Sequence, residues 1–313
     1  MTHDILLHGI DGANPLGFLA AVGTLRVLSL DAGGVRLRWK KHENAWRPVL
    51  ALDIALDEHT LVERLSANLA ISIPPEVFAL GDNPSVPLGL FRSYAQACAQ
   101  AAWDGDRLRS DFAVAFAGEY PVDKDGKVPD TALRTMSGAG HQHFLKFMRN
   151  FIEQVQPEHL HKALFAIWRY DDPVQNMTLR WDPSDDNRYA LRWSDPSGDP
   201  DRKSTGSMWG ANRLAIEALP LLPTLPTHRQ LETTGFHTQG ARKTHWTWPI
   251  WNASAGVDTV RSLLDMAAVH RSGQPDTQPQ GLAARGIVEV YRSRRLTTGK
   301  FRNFTMGTPV SYI

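Results

Sequence analysis

Two closely spaced histidines are the first residues whose types and spacing suit chemistry. His141 and His143 can ligate a metal ion, and aspartates between Asp182 and Asp186 can add the oxygen ligands of an octahedral or facial-triad site. Side chains at positions i and i+2 point to different faces of a helix, and no third histidine or HExxH pattern accompanies the pair. We therefore expect structural or surface roles for His141 and His143 and no metal or cofactor. A metal-dependent nuclease or hydrolase is the alternative.

Motifs for nucleophilic catalysis and nucleotide hydrolysis are missing from the sequence. No Gly-x-Ser-x-Gly elbow occurs, and Cys98, the single cysteine, lies in a predicted Ala-rich helix where a buried, inert thiol is expected. Small residues from Thr135 to Gly140 precede a predicted helix, but no Gly-Lys-Ser/Thr follows them, which argues against a P-loop. These patterns predict a protein that is not an enzyme.

The end of the chain combines positive charge with aromatic rings. Between Arg285 and Ile313 six cations stand against one acid, Glu289, a net charge of +5. Cations interleaved with aromatic rings suit phosphate contact together with base stacking or cation–π contact. The candidate nucleic-acid-binding residues are Arg292, Arg294, Arg295, Lys300, Phe301, Arg302 and Phe304, with Arg202 and Lys203 as an interior basic cluster. Arg292 and Arg294 share a face of an extended chain. The alternative is a solvated edge strand whose charge discourages aggregation.

The segments that must position these residues show clear periodicity. From Asn14 to Leu30 the sequence is apolar nearly all round, with an asparagine N-cap and a proline at the first helical position, which predicts a helix buried at the domain centre. Val35–Lys40 alternates apolar and basic residues and predicts a half-buried strand, and His245–Trp251 predicts another. Thr178–Trp181 and Tyr189–Trp193 flank a turn and predict a hairpin.

Length and composition bound the class of protein. With 313 residues the chain can bury a large core, and 34 Lys and Arg against 33 Asp and Glu leave a net charge of only +1. Composition alone therefore does not identify a nucleic-acid binder, and any such site depends on local clustering of charge. The single cysteine, the lack of a signal-peptide pattern and the lack of an apolar run of about 18 residues predict a soluble cytoplasmic protein with no membrane partner.

The order of the predicted elements indicates an α+β fold. We expect mixed small sheets with a mainly helical middle, and the sequence shows no Rossmann or P-loop signature. The polar, turn-rich segment Tyr120–Asp130 divides the chain into an N-terminal α+β part, residues 1–130, and a C-terminal α+β part with the basic end, residues 131–313. One continuous domain is the alternative.

Three stretches together resemble a known family. The opening GIDGANPLGFLAAVGTLRVL, the predicted hairpin LRWDPSDDNRYALRWSDPS and the helix entry WGANRLAIEALPLLP are similar to subunits of type I-G (formerly I-U) CRISPR systems. The most similar are the accessory or large-subunit-like proteins, including the extension of the helicase-nuclease. The resemblance implies a part in a crRNA-guided effector complex that finds foreign DNA. The matching stretches contain no nuclease constellation, so no catalytic residues are carried over.

The resemblance and the basic end lead to a functional hypothesis. A non-catalytic subunit would contact other effector subunits, the crRNA complex and target DNA. The C-terminal cations would neutralise phosphates, and Phe301 and Phe304 would stack on exposed bases or wedge into the duplex near a PAM. Guide pairing would supply most of the sequence specificity. A scaffold that binds only protein through its tryptophans is a further alternative, because tryptophan is enriched at binding hot spots.

Overall fold

One buried helix connects the sheets of this protein. The computed structural model describes residues 2–31, 33–135, 143–173, 177–184, 206–239, 243–271, 281–298 and 301–312. The first helix, α1, spans Pro15–Leu28, and all of its residues are buried. The Asn14 side-chain oxygen accepts hydrogen bonds from the backbone N–H groups of Leu16 (2.9 Å) and Gly17 (3.3 Å), which satisfies two of the free donors of the first turn. The predicted N-cap and the predicted burial are both confirmed.

The remaining helices concentrate in the middle of the chain. They are α2 (Glu58–Leu69), α3 (Leu88–Trp103), α4 (Leu108–Phe116), α5 (Phe144–Gln154), α6 (Pro157–Phe165), α7 (Trp209–Ile216), α8 (Val257–Leu264) and α9 (Ala267–His270). With the small antiparallel sheets before and after them, they confirm the predicted α+β class. Within the described ranges, none of these helices combines the length and the apolar character needed to cross a bilayer.

The N-terminal sheet has three antiparallel strands. These are β1 (His3–Leu6), β2 (Arg36–His42) and β3 (Ala45–Leu52), and β3 lies in the centre. Leu37 and Trp39 on β2 are buried, at 0% and 1% exposure, while Arg36 and Lys40 on the same strand are exposed. This alternation confirms the half-buried strand predicted at Val35–Lys40, with one face toward the core.

The C-terminal sheet carries the basic end of the chain. Its strands are β6 (Phe236–Gln239), β7 (Lys243–Trp251), β8 (Ile287–Thr298), β9 (Phe301–Phe304) and β10 (Thr308–Tyr312). All pairs are antiparallel, and the long β8 pairs with β7 along one side and with β9 and β10 along the other. A separate two-stranded ribbon consists of β4 (Thr224–Pro226) and β5 (Leu231–Thr233).

Aromatic rings join the two larger sheets across α1. Phe18 stacks on Trp39 of the first sheet, with ring centroids 5.8 Å apart and planes 10° apart. The same ring meets Trp246, Trp248 and Trp251 of β7 at 5.9, 5.7 and 6.3 Å. The core is therefore shared between residues on both sides of position 130.

The opposite side of α1 packs closely on α7. A Cβ atom at Gly23 would lie 1.8 Å from the Leu214 carbonyl oxygen, so the two backbones can approach only at a glycine. One turn further on, the buried carboxylate of Glu217 accepts hydrogen bonds from Arg26 and from Arg213 (2.6 Å). Ser72 donates to the same carboxylate at 2.5 Å. The contact thus combines close backbone packing with a satisfied buried ionic network.

The predicted hairpin is wrong in its first strand. Thr178–Trp181 forms no strand, because its backbone groups bind side chains: Leu179 N–H donates to Asn212 Oδ1 at 3.2 Å, and Thr135 donates to the Leu179 carbonyl at 2.7 Å. Arg180 adopts a left-handed φ of 54°, which interrupts an extended chain. The second predicted strand, 189–193, lies outside the described residues.

Candidate nucleic-acid interface

The register of the C-terminal sheet sorts the arginines of β8 onto two faces. His245 of β7 pairs with Arg294, and Thr247 pairs with Arg292, so these two arginines share one face. Thr244 pairs with Arg295, which places this arginine on the opposite face. The predicted common face of Arg292 and Arg294 is confirmed.

The first of these faces is basic and open to solvent. The Arg294 side chain is exposed, and its strand position is fixed because Thr305 bonds both its backbone N–H (2.9 Å) and its carbonyl (3.0 Å). Arg292 is half-buried and donates from Nε to Thr247 Oγ1 at 3.2 Å. Burial holds the pKa of the Arg292 guanidinium below its ordinary value. Of these two arginines, Arg294 is the more accessible to a phosphate.

The second face ends in a polar cavity of about 550 Å³, which we call the arginine cleft. It lies between the β8–β9 hairpin, the neighbouring strands β6 and β7 and the loop before residue 135. Three arginines from separate segments line it together with acidic and hydroxyl side chains: Asp123, Asp130, Arg134, Thr238, Thr244, Arg295 and Arg302. Two aspartates offset only part of the charge of three arginines, so the lining keeps one excess positive charge.

Arg295 is half-buried in the arginine cleft. Its Nη1 donates to the Ala132 carbonyl at 2.8 Å and its Nη2 to Thr244 Oγ1 at 3.4 Å. Its Nε is buried and has no hydrogen-bond partner within the described ranges. Burial, aided by the nearby charge of Arg302, lowers the pKa of Arg295 to about 10, so the group stays protonated at neutral pH. An anion in the cleft would offset both the cost of burying this charge and the repulsion from Arg302.

The other two arginines differ in how their charge is balanced. Arg134 forms an ion pair with Asp130, and both side chains are largely buried. Arg302 donates from Nη1 to the Arg134 carbonyl at 3.3 Å, which holds its guanidinium at the cleft. The Arg134–Asp130 pair is therefore neutral overall, and Arg295 and Arg302 bring two further positive charges to the lining, against one negative charge from Asp123.

The prediction that Phe304 stacks on bases is wrong, because its ring is buried. The ring is 1% exposed and lies 6.0 Å from both Phe236 and Trp246, so it belongs to the core. Phe304 pairs with Arg295, and residues opposite each other on adjacent strands share a face, which here turns inward. Phe301 pairs with Thr298 at the other end of the same hairpin.

Several predicted site residues fall outside the described residues: Arg202, Lys203, Lys300 and His141. His143 is described and precedes α5, where its Nδ1 lies 3.0 Å from Asn83 Nδ2. The Phe144 N–H donates to Asn83 Oδ1 at 3.1 Å, which turns the amide nitrogen of Asn83 toward the His143 ring. Within the described ranges, no three His, Cys, Asp or Glu side chains come close enough together to hold a metal ion.

Sequence reasoning missed the residues that complete the arginine cleft. Arg134 and Asp130 lie more than 150 positions before Arg295 and resemble an ordinary i,i+4 ion pair in a loop. The signal that links them, a hydrogen bond from Arg302 to the Arg134 carbonyl, is a contact between distant segments and leaves no local pattern. Only the fold brings the third arginine to the other two.

Five of the ten tryptophans that could form a protein interface lie in the core. Trp39, Trp181, Trp246, Trp248 and Trp251 are each at most 1% exposed. Trp103, at the end of α3, is 88% exposed and stands at the surface. Comparison with known proteins found no matching protein-family model and no matching curated protein.

Proposed function

We propose that this protein is a non-catalytic subunit of a type I CRISPR effector complex that holds nucleic acid through phosphate contacts of its C-terminal sheet. The arginine cleft is the observation that carries the phosphate contact, because Arg295 and Arg302 face one cavity and Arg295 is desolvated there. Arg294 adds an exposed cation on the other face of β8. Target DNA and the crRNA complex are the proposed nucleic-acid partners.

The chemistry of the arginine cleft favours the sugar–phosphate backbone over base edges. Arginine binds phosphate oxygens through two parallel N–H groups, and such contacts fix position without reading sequence. The cleft is lined mainly by polar groups, and Phe304 is turned inward, so the cleft itself offers charge and hydrogen bonds to a phosphate. Binding at these strands is therefore independent of sequence, as expected of a subunit whose specificity comes from guide pairing.

The resemblance of three stretches to type I-G subunits supports the assignment to an effector complex, where the other subunits are the proposed protein partners. The sequence contains neither nuclease nor helicase motifs. Cleavage and unwinding would then be tasks of other subunits. This chain would contribute a positively charged surface.

Binding of labelled single- and double-stranded DNA at about 50 and 200 mM salt tests the proposal, because each phosphate contact contributes about −0.9 to the slope of log K against log salt. We expect Arg294→Glu and Arg302→Glu each to weaken binding and to reduce the slope by about 1. Arg107→Glu is the matched control, since this side chain is 74% exposed just before α4 and does not line the arginine cleft. Equal DNA binding by the wild-type protein and the three variants would overturn the proposed phosphate interface.

A cleavage assay under the same conditions separates the proposal from the enzyme alternative. We expect intact DNA after incubation with magnesium or manganese ions. Cleavage that is lost in His143→Ala would instead support the metal-dependent nuclease built on His141 and His143.

A further inference from the structure

A second cavity, of about 240 Å³, lies beside the start of α1. Its lining combines polar side chains, Asp11 and Arg47 among them, which we call the polar wall, with aromatic and apolar ones, Trp168, Tyr170 and Met306 among them, which we call the aromatic wall. We call it the Trp168 pocket. A few polar groups that converge on an aromatic wall are typical of sites that bind a small planar group.

The aromatic wall of the Trp168 pocket is held in a fixed orientation. Trp168 donates from Nε1 to the Ala163 carbonyl at 2.9 Å, and its ring lies 6.1 Å from the Tyr170 ring at 87°. Tyr170 has a left-handed φ of 54°, a strained conformation for a non-glycine residue, and its carbonyl accepts the Gly206 N–H at 2.6 Å. Ile167 beside them is 86% exposed, so apolar surface reaches the mouth.

The polar wall offers both a donor and an acceptor. Arg47 donates from Nη1 to the Ile10 carbonyl at 2.9 Å, but its buried Nε has no hydrogen-bond partner in the described part of the chain. The described residues give the Asp11 carboxylate one hydrogen bond, from the Ala13 N–H at 2.9 Å. The Arg47 guanidinium lines the pocket and carries five N–H donors, so its charge can receive a ligand acceptor beside the bond to Ile10.

The Trp168 pocket adjoins the basic strands. Met306 follows Arg302 by four residues, a distance that the chain can span over at most about 14 Å. Thr305, the residue before Met306, is the one that bonds the backbone of Arg294. The Gly307 N–H donates to the Ala13 carbonyl at 2.9 Å and fixes this loop against the polar wall.

We propose that the Trp168 pocket receives one unstacked nucleobase of the strand whose phosphates lie on the C-terminal arginines. The ring would stack on Trp168, while the base edge would donate to Asp11 and accept from Arg47. Every base edge combines hydrogen-bond donors and acceptors, which matches the carboxylate of Asp11 and the guanidinium of Arg47. A charged peptide side chain would instead be repelled by whichever of these two groups carries the same charge. The inference rests on the proposed phosphate interface.

The test compares a labelled single-stranded DNA with an abasic strand of equal length, which keeps the phosphates and lacks the bases. Base–aromatic stacking predicts that the wild-type protein binds the intact strand about 5- to 150-fold more tightly. Trp168→Leu should remove this preference, with abasic binding and the salt slope unchanged. Trp103→Leu, at an exposed ring, is the matched control.

A second variant keeps the test decisive if Trp168→Leu fails to fold. Asp11→Asn retains an oxygen for the Ala13 N–H and should also reduce the preference for intact DNA. Equal wild-type affinity for both strands would overturn the base pocket and leave the phosphate interface standing. If neither strand binds, the proposed function itself fails, and the base pocket fails with it.

Discussion

Arg26 of α1 and Glu217, at the end of α7, form an ion pair in the core, with side chains only 7% and 0% exposed. Arg213 approaches the same carboxylate from the preceding turn and also donates to the Leu69 carbonyl at 2.9 Å. Arg26 additionally lies over the ring of Phe112, 5.3 Å from its centroid. One acid thus serves two buried cations, so its loss leaves both without charge compensation.

Glu217→Gln tests this network. The substitution keeps the shape of the side chain but removes its charge, and breaking a buried pair from one side costs about 3–5 kcal/mol. We expect a loss of this size in the free energy of unfolding, measured by urea denaturation. Glu119→Gln is the control, because Glu119 pairs with Arg92 at the surface and should contribute less than about 1 kcal/mol. Equal losses in both variants would contradict the assigned role.

Two helical glycines predict opposite effects of the same substitution. Gly23→Ala brings a Cβ to 1.8 Å from the Leu214 carbonyl oxygen and should destabilise the fold by at least about 1–3 kcal/mol, the usual cost of overpacking. Gly89→Ala on α3 meets no atom within 4 Å and should stabilise the protein by up to about 1 kcal/mol through helix propensity. Urea denaturation of both variants gives the comparison. A stable Gly23→Ala protein would show that α1 and α7 can move apart.

Cys98 predicts a dependence of stability on alkaline pH. The residue is 4% exposed, and burial raises the pKa of its thiol above the ordinary value, although the neighbouring Tyr94 hydroxyl and Arg109 charge oppose the shift. The unfolded chain releases this proton near pH 8.5, whereas the folded chain retains it, so stability falls as pH rises through that value. We expect a shallower fall between pH 7 and 9.5 in Cys98→Ala. Parallel curves of unfolding free energy against pH for the wild-type and Cys98→Ala proteins would show that the pKa of Cys98 is not raised by folding.

The enclosed charge of Arg295 predicts stabilisation by polyanions. A ligand at about 100 times its Kd adds about 2.7 kcal/mol to the stability of the form that binds it. Tripolyphosphate should therefore raise the Tm of the wild-type protein. The increase should be smaller in Arg302→Gln, which removes one cation of the arginine cleft. An identical increase in both proteins would place the anion elsewhere.

Local patterns were sufficient for the elements and for part of the site. The N-cap of α1, the buried helix and the common face of Arg292 and Arg294 all depend on neighbours within a few residues, so the sequence predicted them. Phe304 shows the limit of this reasoning, because its pattern among cations suggested exposure. Its burial depends on Phe236 and Trp246, which are distant in sequence.

The arginine cleft and the Trp168 pocket lie beyond that limit for the same reason. Each is closed by loops whose sequence is ordinary: Arg134 and Asp130 show the i,i+4 spacing common among surface ion pairs, although both are largely buried, and Trp168 follows a short helix. Thr178–Trp181 does not form the predicted strand, because the side chains of Asn212 and Thr135 bind the backbone groups of Leu179 that a neighbouring strand would need. Long-range contacts decide these features, and a single sequence carries no periodic signal for them.

The pairing of α1 with α7 also constrains how the protein is made. Arg26 and Glu217 are separated by 191 positions, and synthesis at about 5–20 residues per second leaves an interval of about 10–40 s between them. During this time the ribosome has released an almost wholly apolar helix whose main partner does not yet exist. We therefore expect the exposed α1 segment of the nascent chain to attract chaperones, and the α1–α7 contact to form only after the α7 segment has left the ribosome.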